Sequence, residues 1–171
     1  MNLPKRLPKL EDIYPVFGLI TLLIYGWGLY AFFWILPSWL NFLTLPELVG
    51  ILAYNFLVHF LESLTLLAIL LAFSFFFPRV FRFDFLFRGG LSALWVAVLF
   101  MTLQLGKISY QYVLNFFLIW ILLAPVVHYF LGRIPAARTA VRSITERASV
   151  FLYIFPPLTM FALIIFVFRN F

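Results

Sequence analysis

Five apolar runs, each close to the length that crosses a bilayer core, constrain this chain more than any other feature. A helix needs about 20 residues to cross roughly 30 Å of hydrocarbon. Lipid offers its backbone no hydrogen-bond partner, so such runs must be helical. They cover about residues 15–36, 45–77, 90–106, 112–131 and 149–168. An all-α membrane protein with about five transmembrane helices is expected, built as a single polytopic domain over residues 1–171. Composition agrees: 65% of residues are hydrophobic, 11% are charged and the mean hydropathy is +1.10. Soluble domains run nearer a quarter charged.

Prolines mark several boundaries. Pro15 suits a first helical turn, and Pro37 is expected to end the first span. The opening stretch MNLPKRLPKLEDIY is polar and basic, and no small-x-small cleavage site lies near Pro37. The first span is therefore expected to stay as an anchor rather than leave as a signal peptide. The chain has no cysteine, which excludes disulfides, thiolate metal sites, iron–sulfur clusters and cysteine nucleophiles.

The net charge of +6 is distributed between spans rather than along one stripe, which speaks for membrane orientation and against nucleic acid. Lys5, Arg6, Lys9, Arg79, Arg82, Arg88, Arg133, Arg138, Arg142 and Arg147 fall on one side, and Lys107 and Arg169 on the other. The positive-inside rule then predicts a cytoplasmic N-terminus and an external C-terminus.

Three connections carry local signals. Thr44-Leu45-Pro46-Glu47 fits a capping box opening the second helix, which should run unbroken to Phe77. In PRVFRFDFLFRGG (78–90) phenylalanines alternate at Phe81, Phe83, Phe85 and Phe87. An isolated strand cannot satisfy its backbone in lipid, so an interfacial loop is expected there. In residues 135–150, Ala137, Val141, Ile144 and Ala148 share one helical face, opposite Arg138, Arg142, Glu146 and Ser149. This pattern predicts an amphipathic cytoplasmic helix before the last span. Arg133, Arg138, Arg142 and Arg147 would offer it a surface for anionic lipids.

The polar residues inside the spans carry the functional question. Asn55, His59 and Glu62 are spaced i, i+4, i+7, so they share one helical stripe. A helix over residues 45–77 would measure about 50 Å. Counting about 20 residues outward from the inner end at Pro78 reaches Val58. Glu62 then lies shallowly in the outer leaflet, His59 near its boundary and Asn55 beyond. Gln104, Lys107 and Asn115 fall at a similar level. These six residues form a candidate polar pocket between the second, third and fourth spans, with Glu62 expected to find its donor there, Lys107 foremost. The plainer alternative is helix–helix hydrogen bonding, with Lys107 snorkelling to the interface.

His59 and His128 belong to opposite sides of the membrane, so no metal site is expected, and no catalytic set or phosphate loop is legible. Pro125 and Pro156-Pro157 should bend the fourth and fifth helices near His128, Tyr153 and Thr159. Gly18, Gly26 and Gly28 should let neighbouring helices approach the first span. The expected role is non-enzymatic: an accessory or assembly subunit of a larger membrane complex. A transporter or channel protomer for a small solute, ion or lipid is the alternative, and a lipid-headgroup enzyme a third. The expected partners are the lipid bilayer, anionic lipids, and a membrane protein or further copies of the chain, with no nucleic acid; the cofactor is unknown. The expected location is the plasma membrane, or the inner membrane of a prokaryote.

Overall fold

The computed structural model describes residues 8–76, 84–105 and 110–170. Its elements are α1 (Leu10–Trp39), α2 (Leu45–Phe76), α3 (Phe85–Leu105), α4 (Tyr110–Arg133), α5 (Pro135–Ala148), a 3₁₀ turn (Ser149–Tyr153) and α6 (Phe155–Asn170). Every regular element among the described residues is helical. Four of these helices, and the combined stretch Pro135–Arg169, are long and apolar enough to cross a membrane. The bundle is that of a polytopic membrane protein.

Helix α1 is the axis. It packs against α2, α3, α5 and the 3₁₀ turn, while α2 packs on α1 and α6, and α4 touches only α3 and α5 to any extent. A central apolar cluster joins four elements: Val16, Leu19 and Ile20 of α1, Leu70 of α2, Phe85 and Ala93 of α3, and Ala148 of α5. In lipid, apolar side chains gain little by leaving hydrocarbon, so close packing through small residues must hold such helices together. Gly18 shows how. A Cβ there would lie 2.6 Å from the Ala148 carbonyl oxygen and 2.7 Å from the Ser149 Cα. Gly28 opens α1 in the same way beneath His59, whereas nothing lies within 4 Å of a Cβ at Gly26. Of the three glycines expected to serve packing, Gly26 does not.

The boundaries differ from expectation where prolines were read as stops or kinks. Helix α1 begins at Leu10, with Glu11 and Asp12 in its first turn, where carboxylates favour the helix dipole. Pro15 therefore sits inside the helix and leaves the Glu11 carbonyl without its bond, near the polar end where water can serve it. Pro37 lies in the last turn, and the helix continues to Trp39. Pro125 is inside α4, as expected. Pro156 and Pro157 do not bend a running helix. They occupy the first turn of α6, where the missing N–H groups have no intrahelical acceptor in any case.

Helix α2 runs unbroken from Leu45 to Phe76, about 48 Å at 1.5 Å per residue. Its start is half of a capping box. Glu47 Oε2 accepts from the Thr44 N–H at 2.7 Å and from Thr44 Oγ1 at 2.8 Å, while Leu48 N–H closes the first turn on the Thr44 carbonyl at 3.1 Å. Of the expected interfacial loop, residues 85–90 are helix, and residues 78–83, Phe81 and Phe83 among them, lie outside the described residues. Asp84 accepts from the Phe87 N–H at 3.3 Å, acting as an N-cap, and Phe85 and Phe87 point into the core at 2% exposure each.

On α5 the buried residues are Val141, Thr145 and Ala148, and Ile144 is exposed. Thr145 can face the core because its hydroxyl donates to the Val141 carbonyl at 2.7 Å. Gly90 of α3 makes the space, since a Cβ there would fall on Thr145 Oγ1.

Candidate functional site

Helices α2 and α3 flank α1 with almost no direct contact between them among the described residues. The space between them is a trough of about 540 Å³, floored by α1 from Ile20 to Trp27 and walled by α2 from Val58 to Ile69 and α3 from Ala93 to Met101. Its walls are apolar except at the end where His59, Glu62 and Thr65 converge. Thr65 turns its hydroxyl back to the Leu61 carbonyl at 2.8 Å.

The polar stripe of α2 divides between two surroundings. Glu62 Oε2 lies 2.9 Å from His59 Nδ1, and the Glu62 side chain is 54% exposed. With the carboxylate as acceptor, the imidazole proton sits on Nδ1. The other edge of the ring rests on α1. A Cβ at Gly28 would fall on Nε2, and the Tyr25 ring lies 5.9 Å away, edge-on. Asn55 shares a small recess with Tyr25, Gly28, Leu29, Leu52, Phe56 and His59.

The stripe divides between α1 and the trough: Asn55 and His59 face α1, while Glu62 lines the trough beside α3 and, among the described residues, takes its donor from its own-helix neighbour one turn away. The reason is steric: Gly28 leaves a gap in α1 wide enough for an imidazole, and α2 packs into it. Asn115 is exposed on α4, which does not pack on α2. Lys107 and the Gln104 side chain lie outside the described residues.

Beside this stripe stands a hydroxyl hub that the sequence reading missed. The Tyr25 hydroxyl lies 3.1 Å from the Phe56 carbonyl of α2 and 2.6 Å from Thr159 Oγ1 of α6, and Thr159 Oγ1 lies 2.9 Å from the Phe155 carbonyl. The two hydroxyl protons can fill only two of these three contacts at a time, and the groups meet where α1, α2 and α6 come together. The signal in the sequence was Tyr25, one of two tyrosines inside the first apolar span. A buried tyrosine needs a partner for its hydroxyl.

At the opposite end of the bundle Asp84 forms a second polar cluster. Its carboxylate takes Arg138 Nη2 on Oδ2 at 2.8 Å, and Arg142 Nη2 and Nε on Oδ1 at 2.7 and 3.1 Å. Burial would raise the Asp84 pKa. The hydrogen bonds from Arg142 and Arg138, the Arg142 charge and the Phe87 N–H outweigh that and hold it below the ordinary carboxylate range. Two of the four arginines nominated for anionic lipid thus clamp α5 to the start of α3. A third, Arg133, stacks 4.2 Å over the Tyr129 ring, and Arg147 is exposed.

His128 is occupied structurally. Its Nδ1 donates to the Ala124 carbonyl at 2.8 Å, so Nε2 accepts from the Ser92 hydroxyl at 3.1 Å. Beside it Trp95 and Trp120 stack at 4.3 Å, and each indole donates to the other's carbonyl, at 3.3 and 3.2 Å. No group of three or more histidines and carboxylates able to hold a metal occurs among the described residues. No family model, curated protein or solved structure matches the chain, so the functional argument rests on its own residues.

Proposed function

We propose that this is a non-enzymatic integral membrane protein, an accessory or assembly subunit that lends its fourth helix to a larger membrane complex. The observation that supports this is the isolation of α4. No described residue between Tyr112 and Arg133 is buried, and α4 meets α3 mainly through the Trp95–Trp120 and Ser92–His128 pairs. Helices associate in lipid through van der Waals contact and interhelical hydrogen bonds. A span left so uncovered by its own chain presents that surface to another protein.

Within this proposal the N-terminus is cytoplasmic and the C-terminus external, in the plasma or inner membrane. Lys9 at the start of α1, Arg88 near the start of α3, Arg133 at the end of α4, and Arg138, Arg142 and Arg147 along α5 support that orientation.

The test is mass determination of the protein extracted in mild detergent, alone and with Leu118→Trp and Leu122→Trp on the exposed face of α4. A stoichiometric partner lost in the variants, with their unfolding temperature unchanged, supports the proposal. A wild-type monomer with no partner overturns it. A homo-oligomer that passes solute in liposomes would favour the transporter alternative instead.

A further inference from the structure

We propose that the trough between α1, α2 and α3 binds a single-chain amphiphile whose head group donates a hydrogen bond to Glu62. Size selects the class of occupant. The α2 wall from Val58 to Ile69 is about 16 Å long at 1.5 Å per residue. The trough holds about 540 Å³. That lies within the range of small-ligand sites. One alkyl or isoprenoid chain has the right width, and the walls it would meet are Leu66 and Ile69 on one side and Ala93 and Ala97 on the other.

Chemistry selects the head. At the polar end His59 is committed to Glu62 Oε2 and Thr65 to the Leu61 carbonyl. Glu62 Oε1 makes no hydrogen bond among the described residues, although Glu62 lines the trough. Glu62 lies 14 residues from the end of α2 at Phe76, about 21 Å along the helix. Even shallow in the outer leaflet, a carboxylate oxygen against apolar walls is costly without a donor. A bulk acyl tail cannot supply one, whereas an alcohol or an ammonium head reaching in from the Glu62 end can. The acceptor geometry does not choose between those two heads, so the shared property is the donated hydrogen.

The test uses the full chain in lipid nanodiscs and hexadecanol carrying a mid-chain diazirine, with the methyl ether of the same probe as control. Photolabelling by the alcohol should saturate, map to Leu66, Ile69 and Ala97, and be competed by unlabelled hexadecanol and hexadecylamine but not by the unlabelled ether. The ether probe should label about tenfold less, as should the alcohol on Glu62→Leu, matching the loss of one charge-assisted hydrogen bond. Ala97→Phe, which narrows the trough from the α3 wall and leaves the Glu62 carboxylate in the chain, should abolish labelling. Equal labelling by alcohol and ether, failure to saturate, or indifference to Ala97→Phe would overturn the proposal and show bulk tails or water in the trough. Should Glu62→Leu fail to fold, the alcohol–ether comparison on the wild type still decides. Labelling is independent of α4, so it separates this inference from the subunit proposal.

Discussion

Removing the charge of Asp84 is the sharpest test of how this bundle is closed. The Asp84 side chain is 8% exposed, and its two arginine partners are 45% exposed. Breaking a fully buried ion pair costs about 3–5 kcal/mol because a charge is left stranded, while exposed pairs are worth about 0–1 kcal/mol. Here the carboxylate is enclosed but Arg138 and Arg142 can turn to water, so Asp84→Asn should cost about 2 kcal/mol, an intermediate value. The amide still caps Phe87. Asp84→Ala removes that cap as well and should cost about 1 kcal/mol more. For a chain of this size the Asn variant should then melt roughly 4–8 °C lower, followed by circular dichroism in detergent.

The pH dependence carries a sign. The folded-state pKa of Asp84 is depressed, so its contribution is complete above the ordinary carboxylate value near 3.9 and is lost as pH falls through the folded value. The gap between wild type and Asp84→Asn should therefore close in acid and persist at neutral pH. A double-mutant cycle with Arg142→Met should show coupling of about 1 kcal/mol or more. Melting temperatures that coincide at neutral pH, or a cycle without coupling, would refute the clamp.

Two glycines of α1 should respond in opposite directions. Gly26→Ala meets open space and should be neutral or stabilise by about 0.5–1 kcal/mol through helix propensity. Gly18→Ala drives a methyl into the backbone of Ala148 and Ser149 and should lower the melting temperature; equal melting of the two variants would count against the close approach of α1 and α5. Tyr25→Phe leaves Thr159 its bond to Phe155 but removes the link from α1 to α2 and α6, a loss of about 1 kcal/mol, readable as faster hydrogen exchange in α6. A reporter fused at Phe171 should score as external, and a cytoplasmic score would overturn the proposed orientation.

The local physics of hydrocarbon was legible in the residues alone. Apolar runs of bilayer length have one way to satisfy their backbone, so the helical class and five long apolar helices followed without knowledge of any contact. The Thr44–Glu47 start of α2 was legible for the same reason, because a cap acts within one turn. Asp84 was an equally local signal that went unread: the alternation of phenylalanines drew the segment toward a loop, although an aspartate three residues before Phe87 marks a helix start.

Which helices touch was decided only in three dimensions. Depth placed Glu62, Gln104, Lys107 and Asn115 at one level and invited a pocket between the second, third and fourth spans. Depth says nothing about angle around the bundle. Gly28 in α1 receives His59, and Gly18 and Gly90 admit α5, so α1 became the axis, α2 and α3 were held apart and α4 was left at the edge. In lipid all apolar faces are nearly equivalent, so a few gaps the size of one methyl group choose the partners. Those gaps belong to pairs of helices far apart in the chain, and no single span records them.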